Sequence, residues 1–370
     1  MRIKALLLVL LLVPALAAAA PIPLIGLVSG PGGSPLPGAR VLLLPVTGLA
    51  ETARLEMEGK ADPDPVATAV TGADGAFRLE VPEAGMWEVA VQAKGMVPQE
   101  VLLLPLLEET ELPPVRLESD AKLEVRVAGP DGKPLAGARV QAADVSSAMG
   151  LLRGELRRWR ASERAALTDA NGVAVLPRSA RERLLVRAGV EGQPFAEQKE
   201  VRSGSVSLRL AAGTAREIQV MDAAGKSPVP GAWVRVGESR WVAGKTDAEG
   251  RFAVPVAARA KVRVVVTAED GRQVDTYAEP PRPEEKGPKV VRLPVLETLA
   301  GRVVSAADGR PIAGALVWNR EPGAARRTGA DGAYRIDVIS GQDAWPQAAA
   351  AGYLPVDTHL GVSPGLRRGP

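Results

Sequence analysis

The sequence predicts an all-β chain of tandem sandwich domains, and three observations predict it. A short phrase recurs four times, as PLPGARV (35–41), PLAGARV (134–140), PVPGAWV (228–234) and PIAGALV (311–317). A second phrase follows each copy: TGADGAFRL (71–79), TDANGVAVL (168–176), TDAEGRFAV (246–254) and TGADGAYRI (328–336). An opening strand pattern precedes every first phrase, at LIGLVSG (24–30), LEVRVAG (123–129), IQVMDA (218–223) and LAGRVVSA (299–306). The order never changes, and a period of about 80–100 residues belongs to tandem domains, not to a solenoid of small units.

Each element follows from its residues. Asp-Gly in GPDGK (129–133) and AADGR (306–310) supplies a tight turn after the opening strand. The next Pro sets an extended lead-in and needs no ladder N–H. Gly137 can take the φ > 0 or crowded conformation where the chain re-enters the sheet. Beyond it Ala138, Val140 and Ala142 face one way, Arg139 and Gln141 the other, which is the period of a half-buried antiparallel strand. Ala39, Val41 and Leu43 repeat that alternation, as do Ala232, Val234 and Val236. The second phrase reads as a turn and then a strand, with an aromatic two residues past the Gly (Phe77, Phe252, Tyr334). Repeat two has Ala174 there, so its core is filled differently or is thinner. Closing strands are expected at VRLE (115–118), VSLRL (206–210) and VVRLP (290–294). GVSPGLRRGP (361–370) occupies that place in repeat four, so its last strand is degenerate or the protein continues further.

The pairing of P-[LVI]-x-G-A-x-V with T-[DG]-x-[DNE]-G-x-[FY] resembles the carboxypeptidase regulatory-like family, over nearly all of the chain after its first twenty residues. That resemblance implies seven-stranded Greek-key sandwiches of the transthyretin-like, Ig-like kind, and non-catalytic accessory or surface domains in exported bacterial proteins. Related sandwiches include sugar-binding modules. The expected division is a signal peptide at 1–19 and sandwiches at 22–118, 120–211, 215–294 and 296–370, joined by short linkers at 118–122, 212–217 and 294–298.

The first residues, MRIKALLLVLLLVPALAAAAP, have a positive start, a short apolar run and small residues before Pro21, which is the pattern of a secretory signal. A retained N-terminal anchor is the alternative. No later stretch is apolar for the roughly 18 residues a spanning helix needs. Cys is absent, which removes disulfides, thiolate metal sites and Cys nucleophiles together. The formal charge of +3 falls to near +1 once Arg2 and Lys4 leave, so charge makes no case for nucleic acid. An exported chain of this composition is expected to need no cofactor and to meet an envelope protein or a polysaccharide.

Candidate sites are few. The single histidine, His359, cannot build a zinc peptidase site or a Ser-His-Asp triad alone. It lies in VDTHL (356–360), which aligns with VDTYA (274–278), so a strand position accepting Tyr277 or His359 is expected. The Asp-Thr pairs at 275–276 and 357–358 lack the residues of an aspartic-protease motif. Asp169 and Asn171 have calcium-loop spacing, but the loop continues apolar and reads as a plain turn. Two insertions separate the phrases of repeats one and two. MGLLRGELRRWRASERAA (149–166) reads as a short amphipathic helix in repeat two, with Arg153, Arg157, Arg160 and Arg164 in a row as a possible partner contact. GLAETARLEMEGKADPDP (48–65) is acidic. A basic contact surface for an acidic partner or glycan, or a clasp between neighbouring domains, is the functional reading of the pair; solvated decoration is the plain one. Trp233 and Trp241 are expected to face each other on the outer side of a hairpin, and Trp318 lies on the non-core side of its strand. Such indoles form a sugar-stacking platform, or they stabilise the hairpin or pack against the next domain.

Overall fold

A computed structural model describes residues 21–58, 63–144, 164–180, 182–237, 241–319, 324–342, 344–354, 356–357 and 365–368. The signal segment, the body of the 149–166 insertion with Arg153, Arg157 and Arg160, and His359 lie outside the described residues. Repeat one shows the plan: strands Ile22–Ser29, Arg40–Pro45, Ala67–Val70, Ala76–Val81, Gly85–Gln92 and Gln99–Leu106, then a closing edge at Thr110–Glu111 and Val115–Arg116. The first strand pairs antiparallel with the fourth and parallel with the closing segments, forming one sheet. The second strand lies between the third and fifth, and the sixth completes the other sheet. Repeats two and three have the same two sheets in the same order. In repeat four the closing strand is Gly365–Arg368, parallel to Val304–Ser305, so GLRR does the work of VRL elsewhere.

Four separate cores fill the four sandwiches. Ala39, Val41 and Leu43 point into the first, Ala138, Val140 and Ala142 into the second, and Ala232, Val234 and Val236 into the third, as their alternation predicts. The linkers expected from the sequence are largely strand. Ala121–Ala128, Gly213–Met221 and Leu296–Arg302 begin within them, because pairing with the fourth strand of each repeat reaches back to these residues.

The two recurrent phrases touch. In every repeat the Thr hydroxyl of the second phrase donates to a carbonyl of the first: Thr71 to Leu36, Thr168 to Leu135, Thr246 to Val229 and Thr328 to Ile312, at 2.6, 2.6, 2.8 and 2.7 Å. The same oxygen accepts the backbone N–H of the Ala after the first-phrase glycine, at 2.9 Å each time. A buried donor and acceptor are satisfied by one side chain, which explains why the phrases occur together. The second-phrase glycine is equally constrained. Gly172 has φ +72°, and a Cβ there would lie 2.5 Å from the Val127 carbonyl oxygen. Gly137 has the same φ with open space around it, so it answers only to the turn.

Volume is exchanged across the first sheet. Phe77 lies opposite Gly26, and Tyr334 opposite Gly301, each ring covering the bare backbone of its partner. In repeat two Ala174 is opposite Val125, so the missing aromatic is replaced from the facing strand. Both are buried, and the core is refilled rather than thinned.

Candidate functional site

The described helix is in the acidic insertion of repeat one: α1, Leu49–Met57. Ala, Leu, Glu, Arg and Met are strong helix formers, and Arg54 adds ion pairs to Glu51 at 2.6 Å and Glu58 at 2.5 Å on the outer face. The helix expected in repeat two differs at its end: Ala165–Leu167 is a strand, held to the second strand of that repeat through Gln141↔Ala165. Arg164 just before it is drawn to Glu182, 2.5 Å away, an internal partner.

The inner face of α1 docks on other repeats. Ala53 packs against Trp233 and Val242 of repeat three. One turn on, the Glu56 carboxylate enters a seam lined by Arg139 and Arg187 of repeat two and Arg235 of repeat three. Arg187 is fully buried; its Nη2 is 3.8 Å from Glu56 Oε2, and its Nε donates to Gln141 Oε1 at 2.9 Å. Arg139 ties the three repeats together, donating to the Glu56 carbonyl at 3.2 Å and the Val242 carbonyl at 2.7 Å. Its guanidinium also lies 4.0 Å from the Trp241 ring centre, a contact that gains from desolvation. Burial pushes the Glu56 carboxyl above its ordinary value, against the pull of Arg187, Arg235 and Arg139. Burial also brings Arg187 down to about 9, so it stays charged at neutral pH.

Both indoles of the pair are buried. Trp233 does leave the repeat-three core, but α1 covers it and only 6% of it is exposed; Lys245 Nζ lies 4.2 Å from its ring. Trp241 belongs to the repeat-three core, with Phe195 of repeat two stacked on it at 5.9 Å. The two rings do not oppose each other, because the strands of the hairpin end at Val236, resume at Trp241 and pair Trp233 with Lys245; their register also shifts between Val234 and Arg235. That irregularity puts Trp241 across from Val236 and turns it inward. Trp318 points out of its sandwich and is buried with Leu316 and Ala349 against Met86 and Leu107 of repeat one. Nearby, Arg327 donates to the Ala84 carbonyl, and the Gly352 N–H reaches Glu108 Oε2 at 3.1 Å. Repeat one thus touches repeats two, three and four.

Other candidate positions have structural duties. The Asp169 carboxylate accepts the backbone N–H groups of Asn171 and Val173 at 2.9 Å each. Asp275 pairs with Arg263 across adjacent strands. Among the described residues no group of three or more His, Cys, Asp or Glu side chains converges on a metal position, and no helix is long and apolar enough to cross a membrane. Sequence reasoning missed Arg187, Arg235 and Phe195, and met Glu56 only as one acid of the repeat-one insertion. The acidic charge of the repeat-one insertion was their only signal, and of its readings the clasp between domains is the one α1 fits.

No protein-family model matches the sequence, the carboxypeptidase regulatory-like family included, and no curated protein sequence matches it. Solved structures do. The Bacillus anthracis TIE protein is 17% identical over 86% of this chain and 64% of its own, with a TM-score of 0.19. BcpA, the major pilin subunit of Bacillus cereus, is 11% identical over 74% of this chain and 99% of its own, with a TM-score of 0.19. A type II cohesin–X-dockerin complex from Acetivibrio cellulolyticus is 14% identical over 27% of this chain and 58% of the matched one, with a TM-score of 0.20. This chain therefore spans less than two thirds of the first and third of these. Its architecture of tandem sandwiches stands on its own sheets and cores.

Proposed function

We propose that this chain is an exported, non-catalytic structural module of the bacterial cell envelope, a spacer or adhesive element of the carboxypeptidase regulatory-like kind. One observation carries the reading. The side chains best suited to binding a ligand, Trp233, Trp241, Trp318, Arg139 and Arg187, are spent on contacts between repeats or buried at them. A chain that commits these three indoles and two guanidiniums to its own seams is built to hold its domains in fixed relation. The carbohydrate-binding alternative starts from Trp233 and Trp241, and neither presents an open ring face.

The test is a binding panel of cell-wall and environmental polysaccharides against the purified chain, with fractionation of cells that express it. Recovery with the envelope and no saturable glycan binding is the expected result. Saturable binding to one polysaccharide, abolished in Trp233→Ala/Trp241→Ala while the variant still melts cooperatively, would overturn the structural reading.

A further inference from the structure

The α1 helix is attached to repeat one but finds its apolar and charged partners on repeats two and three. Ala53 fits against Trp233 and Val242, and Glu56 meets the guanidiniums on the seam. The seam is made by strands of two other repeats. Arg139 and Gln141 are on the second strand of repeat two, with Arg187 opposite Gln141 on the fifth. Trp233 and Arg235 share the second strand of repeat three. Sheet pairing fixes these positions within each repeat, and Arg139 and Phe195 join the two repeats at Val242 and Trp241 without using α1. The helix begins on its own repeat, where Thr47 Oγ1 meets Thr52 Oγ1 at 3.0 Å and the Thr52 hydroxyl donates to the Gly48 carbonyl. Gly48 is its N-cap, and Arg54 pairs with the exposed acids Glu51 and Glu58 on the outer face, away from the seam. A fixed receiver with a buried basic lining and an apolar floor, filled by a short acidic helix on a surface insertion, has the form of helix-in-groove recognition.

We propose that the seam between repeats two and three is a receptor groove for an acidic amphipathic helix, that α1 fills it in cis as a releasable strap, and that a partner helix of the same chemistry takes its place. The required chemistry is specific. A small residue must sit where Ala53 meets the Trp233 face, and a carboxylate one turn later must reach Arg187. Basic or bulky helices are rejected, since an added cation would join three guanidiniums and a large side chain would strike the indole.

The experiment removes the strap and offers it back. Residues 47–65 are replaced by a short Gly-Ser connection in the full chain, and a labelled peptide of residues 48–58 is titrated in while Trp fluorescence is followed. Saturable binding to the strapless chain is expected, with the Glu56→Ala peptide binding about tenfold or more weakly and the intact chain binding less than the strapless one. A folded strapless chain that ignores the peptide, or binds both peptides equally, overturns the proposal. A second measurement covers a strapless chain that does not fold. The protein has no native Cys, so Ala53→Cys in the full chain gives one thiol, wholly covered when the strap is seated. Thiol labelling of Ala53→Cys under native conditions, much faster than labelling of a core control at Val140→Cys, is expected for a strap that opens by itself. Equal rates at the two positions would mean that α1 leaves only when the sandwiches unfold, and the proposal fails.

Discussion

Replacing Glu56 by Ala is the sharpest perturbation this structure offers. Glu56 Oε2 and Arg187 Nη2 are 3.8 Å apart, and Arg187 is fully buried. With an effective dielectric of about 20, two charges at that distance attract by about 4 kcal/mol. Removing one member of a buried pair typically costs about 3–5 kcal/mol, because the survivor keeps its desolvation penalty without the attraction that offset it. The separation exceeds a hydrogen bond, so the lower end, about 3 kcal/mol, is the expected loss for Glu56→Ala. Arg187→Ala should cost a similar amount, and the double variant much less than the sum. Glu56→Leu/Arg187→Met, which fills the space with apolar atoms, should return to within about 1 kcal/mol of the native chain. Equilibrium unfolding in urea, followed by the fluorescence of Trp233 and Trp241 at the seam, reads all four chains. A coupling energy below about 0.5 kcal/mol in this cycle would refute the reasoning and reduce Glu56 to a solvated decoration.

Three further outcomes follow from the fold. Gly172→Ala and Gly137→Ala share a φ of +72°, but only the first drives a Cβ to 2.5 Å from a carbonyl oxygen. The second should therefore cost about 1–2 kcal/mol and the first clearly more in urea unfolding; equal costs would deny the clash. Val125→Gly should lose about 2–4 kcal/mol and Ala174→Phe about 1–3, while the double variant recreates the Gly26–Phe77 arrangement and should lose less than the sum of the two. Strict additivity in the melts would show that the two positions do not share volume. The pH profile should have two limbs of opposite sign. Burial raises the folded Glu56 carboxyl, so its contribution to stability is whole below the ordinary value of 4.5 and is lost as pH rises through the raised value. Asp222 and Glu285 are lowered by backbone N–H groups of Lys226 and Arg282, so their contributions are present above the ordinary carboxylate range and lost as pH falls through the lowered values. Scanning calorimetry of native and Glu56→Gln chains from acid to neutral pH checks this; parallel profiles above pH 4.5 would place the Glu56 effect elsewhere.

The sandwiches were legible because their signals are local. Alternation at Ala138, Val140 and Ala142 and the turn glycines act within a few residues, and four copies made them unmistakable. The Thr contacts were written in the sequence as well, but their meaning needs two segments brought together in space. The seam was not legible, for a physical reason. Arg139 and Gln141 occupy the polar face of an alternating strand, where solvent is the default neighbour, and nothing local says that another repeat covers that face. Trp241 was misplaced for the opposite reason. One register shift reverses the facing of every residue beyond it, and the short stretch from Val234 to Trp241 gives no sign of the shift.

The hydroxyl contact that joins the two phrases closes loops of very unequal length. Thr71 and Thr168 reach back 35 and 33 residues, whereas Thr246 and Thr328 reach back 17 and 16. Chain-closure entropy rises only with the logarithm of loop length, so doubling the excursion costs about 0.6 kcal/mol. With its base sealed by the same clasp in every repeat, the excursion between the phrases becomes a cargo bay. Evolution, or an engineer, can lengthen it, recharge it or load it with a helix, while the sandwich beneath hardly registers the change.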